Sequence, residues 1–275
     1  MNIKTITALL VLLGSPFFAS AAEPPHDLAL DLGKGISLKL VLMPAGKFIM
    51  GSPESEPHRN ANEGPPHEVT ISRSFYMSIY PVTQEQYGTV MGPDANPGTN
   101  INVIKGPNYP EHPMTYEAIT DFCQGLSKTT GKTVRLNTEA EFEYTYRAGT
   151  QTMFFWGSDE QQGYDYGWYQ PGESKHPHPV GQKKPNPWGL YDMGGNVAQV
   201  CSDWGAHYPK LTEADYTKDP VTDPTGPATG AQHVARGMQG WIGHSRSAGH
   251  RVAYAHPEFG DHFFGFRIVV EPTTP

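Results

Sequence analysis

The sequence predicts an α+β domain of irregular build, with little regular secondary structure. Three observations carry that prediction. Glycine (30) and proline (26) punctuate the chain, so a turn residue soon stops each element. Aromatic residues reach 11%, which supplies the burial that a disordered chain lacks. Short helical patterns occur among many broken strand-like runs, with long connections between them.

The first segment reads MNIKTITALLVLLGSPFFASAAEPP. Lys4 gives a positive start, residues 6–18 an apolar stretch, and residues 19–22 small residues suited to cleavage. The stretch is too short to span a bilayer. Residues 1–22 are therefore expected to be a signal peptide. Residues 23–275 are expected to form one domain that works in the periplasm, with no membrane association after cleavage.

The elements then follow in order. Residues 36–51 alternate apolar and polar about a Pro44–Lys47 turn and predict a β-hairpin. Residues 52–67 are a polar, proline-rich loop, and Val69 to Ile79 predicts a strand. Thr83 with Gln86 forms a capping box for a short helix that Gly92 ends. Residues 92–113 form a long loop. Thr115 starts the clearest helix: Ala118, Ile119, Phe122, Cys123 and Leu126 make one stripe, and Gly131 stops it. Thr138 with Glu141 caps the next helix, which ends near Gly149. Residues 157–187 read as loop, and His233–Arg236 and Phe264–Val270 as strands.

A formal charge of −8 disfavours nucleic acid, whose phosphates require a basic face. No nucleotide-binding loop is present, so NAD and flavin are unsupported. The two cysteines, Cys123 and Cys201, can pair in an oxidising compartment or remain as buried, unreactive thiols.

Five segments occur in one order: MPAGKFIMGS, PVTQEQY, RLNTEAEFEYTYRAG, HPVGQKKPNPWGLYDMGGNVAQV and GFRIVV. Together they resemble the formylglycine-generating enzyme (sulfatase-modifying factor) family over residues 36–271. The resemblance implies that family's irregular α+β fold, related to C-type lectins. The enzymes that name the family oxidise a sulfatase cysteine with two cysteines of their own, five residues apart. In the matching stretch, Arg236 to Arg251, those positions fall on Ile242 and Ser247. Neither can form a mixed disulfide or bind a soft metal ion through a thiolate. Sulfatase activation is therefore not expected.

The branch that the chain resembles is exported and lacks the cysteine pair. That resemblance implies oxidative maturation of a siderophore chromophore, dihydropyoverdine to pyoverdine, with oxygen as acceptor and a peptide-linked chromophore or peptide as substrate. Two other classes stay open. One is a non-catalytic, lectin-like binding module; the other is an oxidase of another substrate that uses a bound redox metal.

The stretch from Trp241 to His262 supplies the candidate chemistry. Its histidines, His244, His250, His256 and His262, recur every six residues, a spacing that does not suit a metal site. Glu258 lies between Pro257 and Phe259, an apolar setting that favours a raised pKa and a role as general base. With it, His250 and Arg251 are expected to be catalytic, Arg251 holding developing negative charge. Trp241 is expected to stack on the chromophore, with His244 and His256 lining its pocket.

The run from Asp192 to Gln199 resembles the family's calcium loop. The resemblance implies a structural Ca²⁺ held by the Asp192 side chain, the Gly195 and Val197 carbonyls and the position 199 side chain. Here that last residue is the neutral Gln199. The family's second calcium site has no match between Tyr164 and His178. Arg135, Glu139, Glu141 and Arg147 are expected to form internal ion pairs, and Asp203 and Trp204 to be structural.

Overall fold

Turn residues cut the chain into elements too short for one continuous sheet. The computed structural model describes residues 26–57, 59, 63–93, 95, 103–169, 176–205, 220–237, 253–255 and 263–272. In chain order the elements are β1 (Asp27–Gly33), β2 (Ile36–Met43), β3 (Gly46–Met50), β4 (His67–Ile71), β5 (Phe75–Ser78), α1 (Gln84–Met91), α2 (Tyr116–Thr130), β6 (Val134–Leu136), α3 (Glu139–Arg147), α4 (Gly163–Tyr166), β7 (Ala198–Gly205), β8 (Val221–Thr222), β9 (Gln232–Arg236), β10 (Ala253–Ala255), β11 (Phe264–Phe266) and β12 (Ile268–Val270). Among the described residues the strands fall into three sheets: β1-β2-β5-β12-β6, β10-β9-β7-β11 and β3-β4-β8. The first is antiparallel throughout. The others each contain one parallel pair, β7–β11 and β4–β8. No helix among the described residues is long and apolar enough to cross a membrane.

The helices form where the sequence places them. Thr83 and Gln86 make the capping box of α1, and Thr138 and Glu141 that of α3. Thr115 caps α2, and Gly131 ends it in the left-handed conformation. Ile119, Phe122, Cys123 and Leu126 of α2 are buried on one stripe. They pack with Leu38 and Leu40 of β2, Tyr87 of α1 and Ile268 and Val270 of β12. On the opposite side of that sheet Val41, Met43, Met77 and Val269 pack with Phe142 and Tyr146 of α3. The five-stranded sheet is thus buried on both faces at β5 and β12, whereas β1 exposes alternate residues. That is why β5 and β12 read as continuous apolar runs.

Three expectations change at the places where the chain switches sheets. Residues 36–51 are not a hairpin, because β2 pairs with β1 and β5 whereas β3 pairs with β4. The Pro44–Ala45 corner carries the chain between sheets. Val69 to Ile79 is two strands, interrupted where the polar residues Ser72 and Arg73 face solvent. There the Ser72 backbone N–H and hydroxyl both donate to Asp223. Phe264 to Val270 is also two strands, separated by the single residue Arg267. The stretch read as loop, 157–187, contains α4 and a 3-10 turn at Glu160–Gln162.

Helix α3 is buried from Ala140 to Arg147, and its charges are matched internally. Arg135 holds Glu141 with two hydrogen bonds, at 2.8 and 2.7 Å. Arg236, fully buried, reaches Glu139 at 2.8 Å and Glu143 at 2.6 Å. Arg147 donates to the other oxygen of Glu143 at 2.9 Å, and to the Gly51 carbonyl. These pairs place the expected charged residues in structural roles. Removing one partner strands a buried charge, at a cost of about 3–5 kcal/mol. Arg236→Met is expected to lose stability on that scale, read as a fall in the urea midpoint. An unchanged midpoint would deny the network that weight.

Candidate functional site

The strand registers gather four chain ends at one end of the four-stranded sheet. Arg236 of β9 lies opposite Gln199 of β7, Ala253 of β10 opposite Ala235, and Phe264 of β11 beside Ala198. The end of β9 and the starts of β7, β10 and β11 therefore lie together. Gly237 follows one of these ends and residues 252 and 263 precede two others. Trp241, His244, His250 and Arg251 belong to the first stretch, residues 237–252, and His256 and Glu258 to the second, residues 256–263. All six lie outside the described residues.

Gly237 begins the first stretch. Its carbonyl accepts the Gly195 N–H at 2.8 Å. Its φ is +78°, and a Cβ there would sit 2.8 Å from the Met193 carbonyl oxygen. Only glycine meets both demands without strain. Gly237, at the start of the candidate stretch, is thus pinned to the Asp192–Gln199 loop, one residue after buried Arg236.

That loop is tightly bonded. Asp192 adopts a positive φ of 52° and is buried. Its Oδ2 accepts the Gly181 N–H at 2.7 Å and its Oδ1 the Asn196 amide at 3.3 Å. Burial raises the Asp192 pKa, while these bonds and the Arg267 charge oppose the rise. Asn196 also clamps the His178 backbone through both its amide atoms. Gly195, at φ +79°, lets the loop approach Trp168, whose N would lie 2.7 Å from any added Cβ.

Of the residues expected to hold calcium, Gln199 folds back onto Asp192 with its side chain fully engaged inside the protein. The oxygen of Gln199 is taken by Arg267, and its nitrogen donates to the Asp192 carbonyl. Calcium requires oxygen acceptors directed at it. Among the described residues no group of three or more His, Cys, Asp or Glu side chains is arranged to hold a metal ion.

Cys123 and Cys201 are both free and buried, so the pairing left open by the sequence is not made. Burial pushes the Cys123 thiol up to about 12 and that of Cys201 well above its ordinary value. Cys201 also accepts a hydrogen bond from the Asn137 amide at 3.3 Å. A groove of about 1140 Å³ runs along edge strand β6, lined in part by Tyr116, Cys123, Arg135, Glu141, Ser202 and Glu271. Of its charged residues, Arg135 pairs with Glu141 and Glu271, while Arg73, Lys132 and Asp223 also line it. Among the described residues, none of those predicted for the site lines it.

Residues 36–272 match the model of the sulfatase-modifying factor enzyme 1-like domain. The chain belongs to that family. It is 26% identical to the formylglycine-generating enzyme of Streptomyces coelicolor over 286 residues, covering 82% of this chain and 84% of that enzyme. It is 29% identical over 218 residues to the serine/threonine-protein kinase pkn1 of Chlamydia caviae, covering 72% of this chain. The match spans only 32% of the kinase's length. PvdO from Pseudomonas aeruginosa superposes with a TM-score of 0.74 at 27% identity, covering 91% of this chain and all of that one. Treponema denticola variable protein 1 reaches the same TM-score at 24% identity and shares the fold. This member of the sulfatase-modifying factor family therefore has the family's α+β fold and resembles PvdO.

Sequence reasoning missed Arg236, Gly237 and Arg267, which build the frame. The available signal was a charged residue set in or ending an apolar strand, as in HVAR and FGFRIVV. Such an arginine must be buried with partners.

Asp203 is also structural, accepting the Glu139 N–H at the start of α3 at 2.8 Å. Burial and the nearby Glu139 charge push its carboxyl up to about 7. In the unfolded chain it titrates near ~4. Folding therefore binds a proton between these values, and stability falls as pH rises from about 4 to about 7. The slope is at most about 1.4 kcal/mol per pH unit. Asp203→Asn is expected to flatten it in urea titrations run across that range; an undiminished slope would assign it to other groups. Both thiols are expected to resist a thiol reagent in the native protein and to react in urea. Rapid native labelling would contradict their burial.

Proposed function

We propose that this protein oxidises a peptide-linked siderophore chromophore in the periplasm, converting dihydropyoverdine to pyoverdine. The observation that carries this reading is the full-length likeness to PvdO. Its exported, cysteine-lacking branch of the family is the one whose resemblance implies pyoverdine maturation. The leader-like residues 1–22 support export. Ile242 and Ser247, where the sulfatase-directed enzymes have cysteines, argue against formylglycine formation.

The reaction removes two electrons and two protons from the chromophore, and dioxygen is the proposed acceptor. Glu258 takes a proton from the ring system as general base. His250 assists that transfer, and Arg251 offsets the negative charge left on the ring. Trp241 stacks on the planar chromophore, with His244 and His256 along its edge. The shared sheet end supports this assignment, because the first stretch starts and ends at it and the second ends at it, just before Phe264.

Incubation with dihydropyoverdine is expected to give visible absorption and oxygen uptake. Glu258→Gln is expected to abolish both while retaining wild-type circular dichroism and melting. A wild-type rate in that variant would remove Glu258 from the chemistry. Binding of the chromophore with no turnover by the wild type would instead support a lectin-like binding module.

A further inference from the structure

Arg267 is fully buried at the single-residue link between β11 and β12. Its guanidinium donates to the Ser78 and Ile79 carbonyls, each at 2.8 Å, and to the Tyr191 carbonyl. Its Nε donates to Gln199 Oε1 at 2.5 Å. Gln199 is buried too, and its Nε2 donates to the Asp192 carbonyl at 2.8 Å.

A guanidinium has donors and no acceptor, whereas a glutamine side chain has one acceptor end and one donor end. Arg267 therefore selects which end of Gln199 it faces. The opposite orientation would set an amide NH₂ against N–H groups and leave a carbonyl oxygen facing a carbonyl oxygen. With the oxygen committed to Arg267, the end that faces the loop is a donor. A glutamate at this position would keep a second oxygen for the loop; glutamine does not. The side chain thus turns a nitrogen donor to the loop, bonded to the Asp192 carbonyl, where the implied Ca²⁺ would require an oxygen acceptor.

We infer that the Asp192–Gln199 loop is a metal-independent clamp, closed by the Arg267–Gln199 hydrogen-bond relay in place of Ca²⁺. Its partner is then internal: the Asp192 carbonyl and, through Gly195, the Gly237 carbonyl that starts the candidate catalytic stretch. The inference concerns the loop's ion chemistry and holds whether or not the proposed oxidation is correct.

The test is thermal unfolding of the full-length mature protein after EDTA treatment, with and without millimolar CaCl₂, alongside the metal content of the untreated protein. The wild type is expected to show no calcium-dependent shift and no stoichiometric calcium. A shift of several degrees or bound stoichiometric calcium would overturn the inference. Gln199→Glu is expected to gain a rise of roughly 5 °C or more at saturating calcium. A folded Gln199→Glu protein that ignores calcium would also overturn it, because residue 199 would then not be what excludes the ion. If that variant does not fold, the wild-type measurements decide alone.

Discussion

From Ala140 to Arg147, helix α3 has no face on solvent, so its charges must be neutralised inside the protein. That requirement organises the surrounding structure. Glu143 is reached by Arg147 from its own helix and by Arg236 from β9. Glu141 is held by Arg135 from β6. Asp203 from β7 meets the first backbone N–H of the helix. One helix is thereby tied to strands of two sheets through charge-assisted bonds, each stronger than its neutral counterpart. Because a buried ion lacking its partner is so unfavourable, these strands have little freedom to shift.

The same demand for internal partners shapes the candidate site. Arg236 is anchored in the α3 network, and the next residue, Gly237, is anchored to Gly195. Chemistry carried by residues 238–252 would therefore rest on a rigid base. Rigid support for reactive loops is the usual division of labour in folded domains. The groove along β6 differs in kind, because Arg135, Glu141 and Glu271 in its wall are already matched to each other.

Local signals in the sequence were read correctly. The caps at Thr83, Thr115 and Thr138 and the stops at Gly92 and Gly131 depend on neighbours a few residues away. Such short-range rules survive folding largely unchanged. Strand partners were not legible, since pairing depends on residues far away in the chain. β7 was hidden within a run read for its loop chemistry, and β1 and β6 carried too little pattern to be seen. Strands β5 and β12 lack alternation because both of their faces are buried. For the site, the sequence identified the Asp192–Gln199 loop as one unit. It could not show that Arg267, some seventy positions later, decides which end of Gln199 faces that loop.

The split between β11 and β12 also bears on how the molecule comes into being. Strand β12 sits between β5 and β6 in the five-stranded sheet, yet comprises residues 268–270 of a 275-residue chain. Until those residues have emerged, β5 has no neighbour on that side and β6 has no strand to join. Contacts this distant in sequence form slowly. A polypeptide delivered N-terminus first thus keeps its main sheet open until β12 arrives, after every other strand in that sheet. The order of the strands acts as a timer, holding back the finished sheet until its last strand in sequence takes its place between two earlier ones.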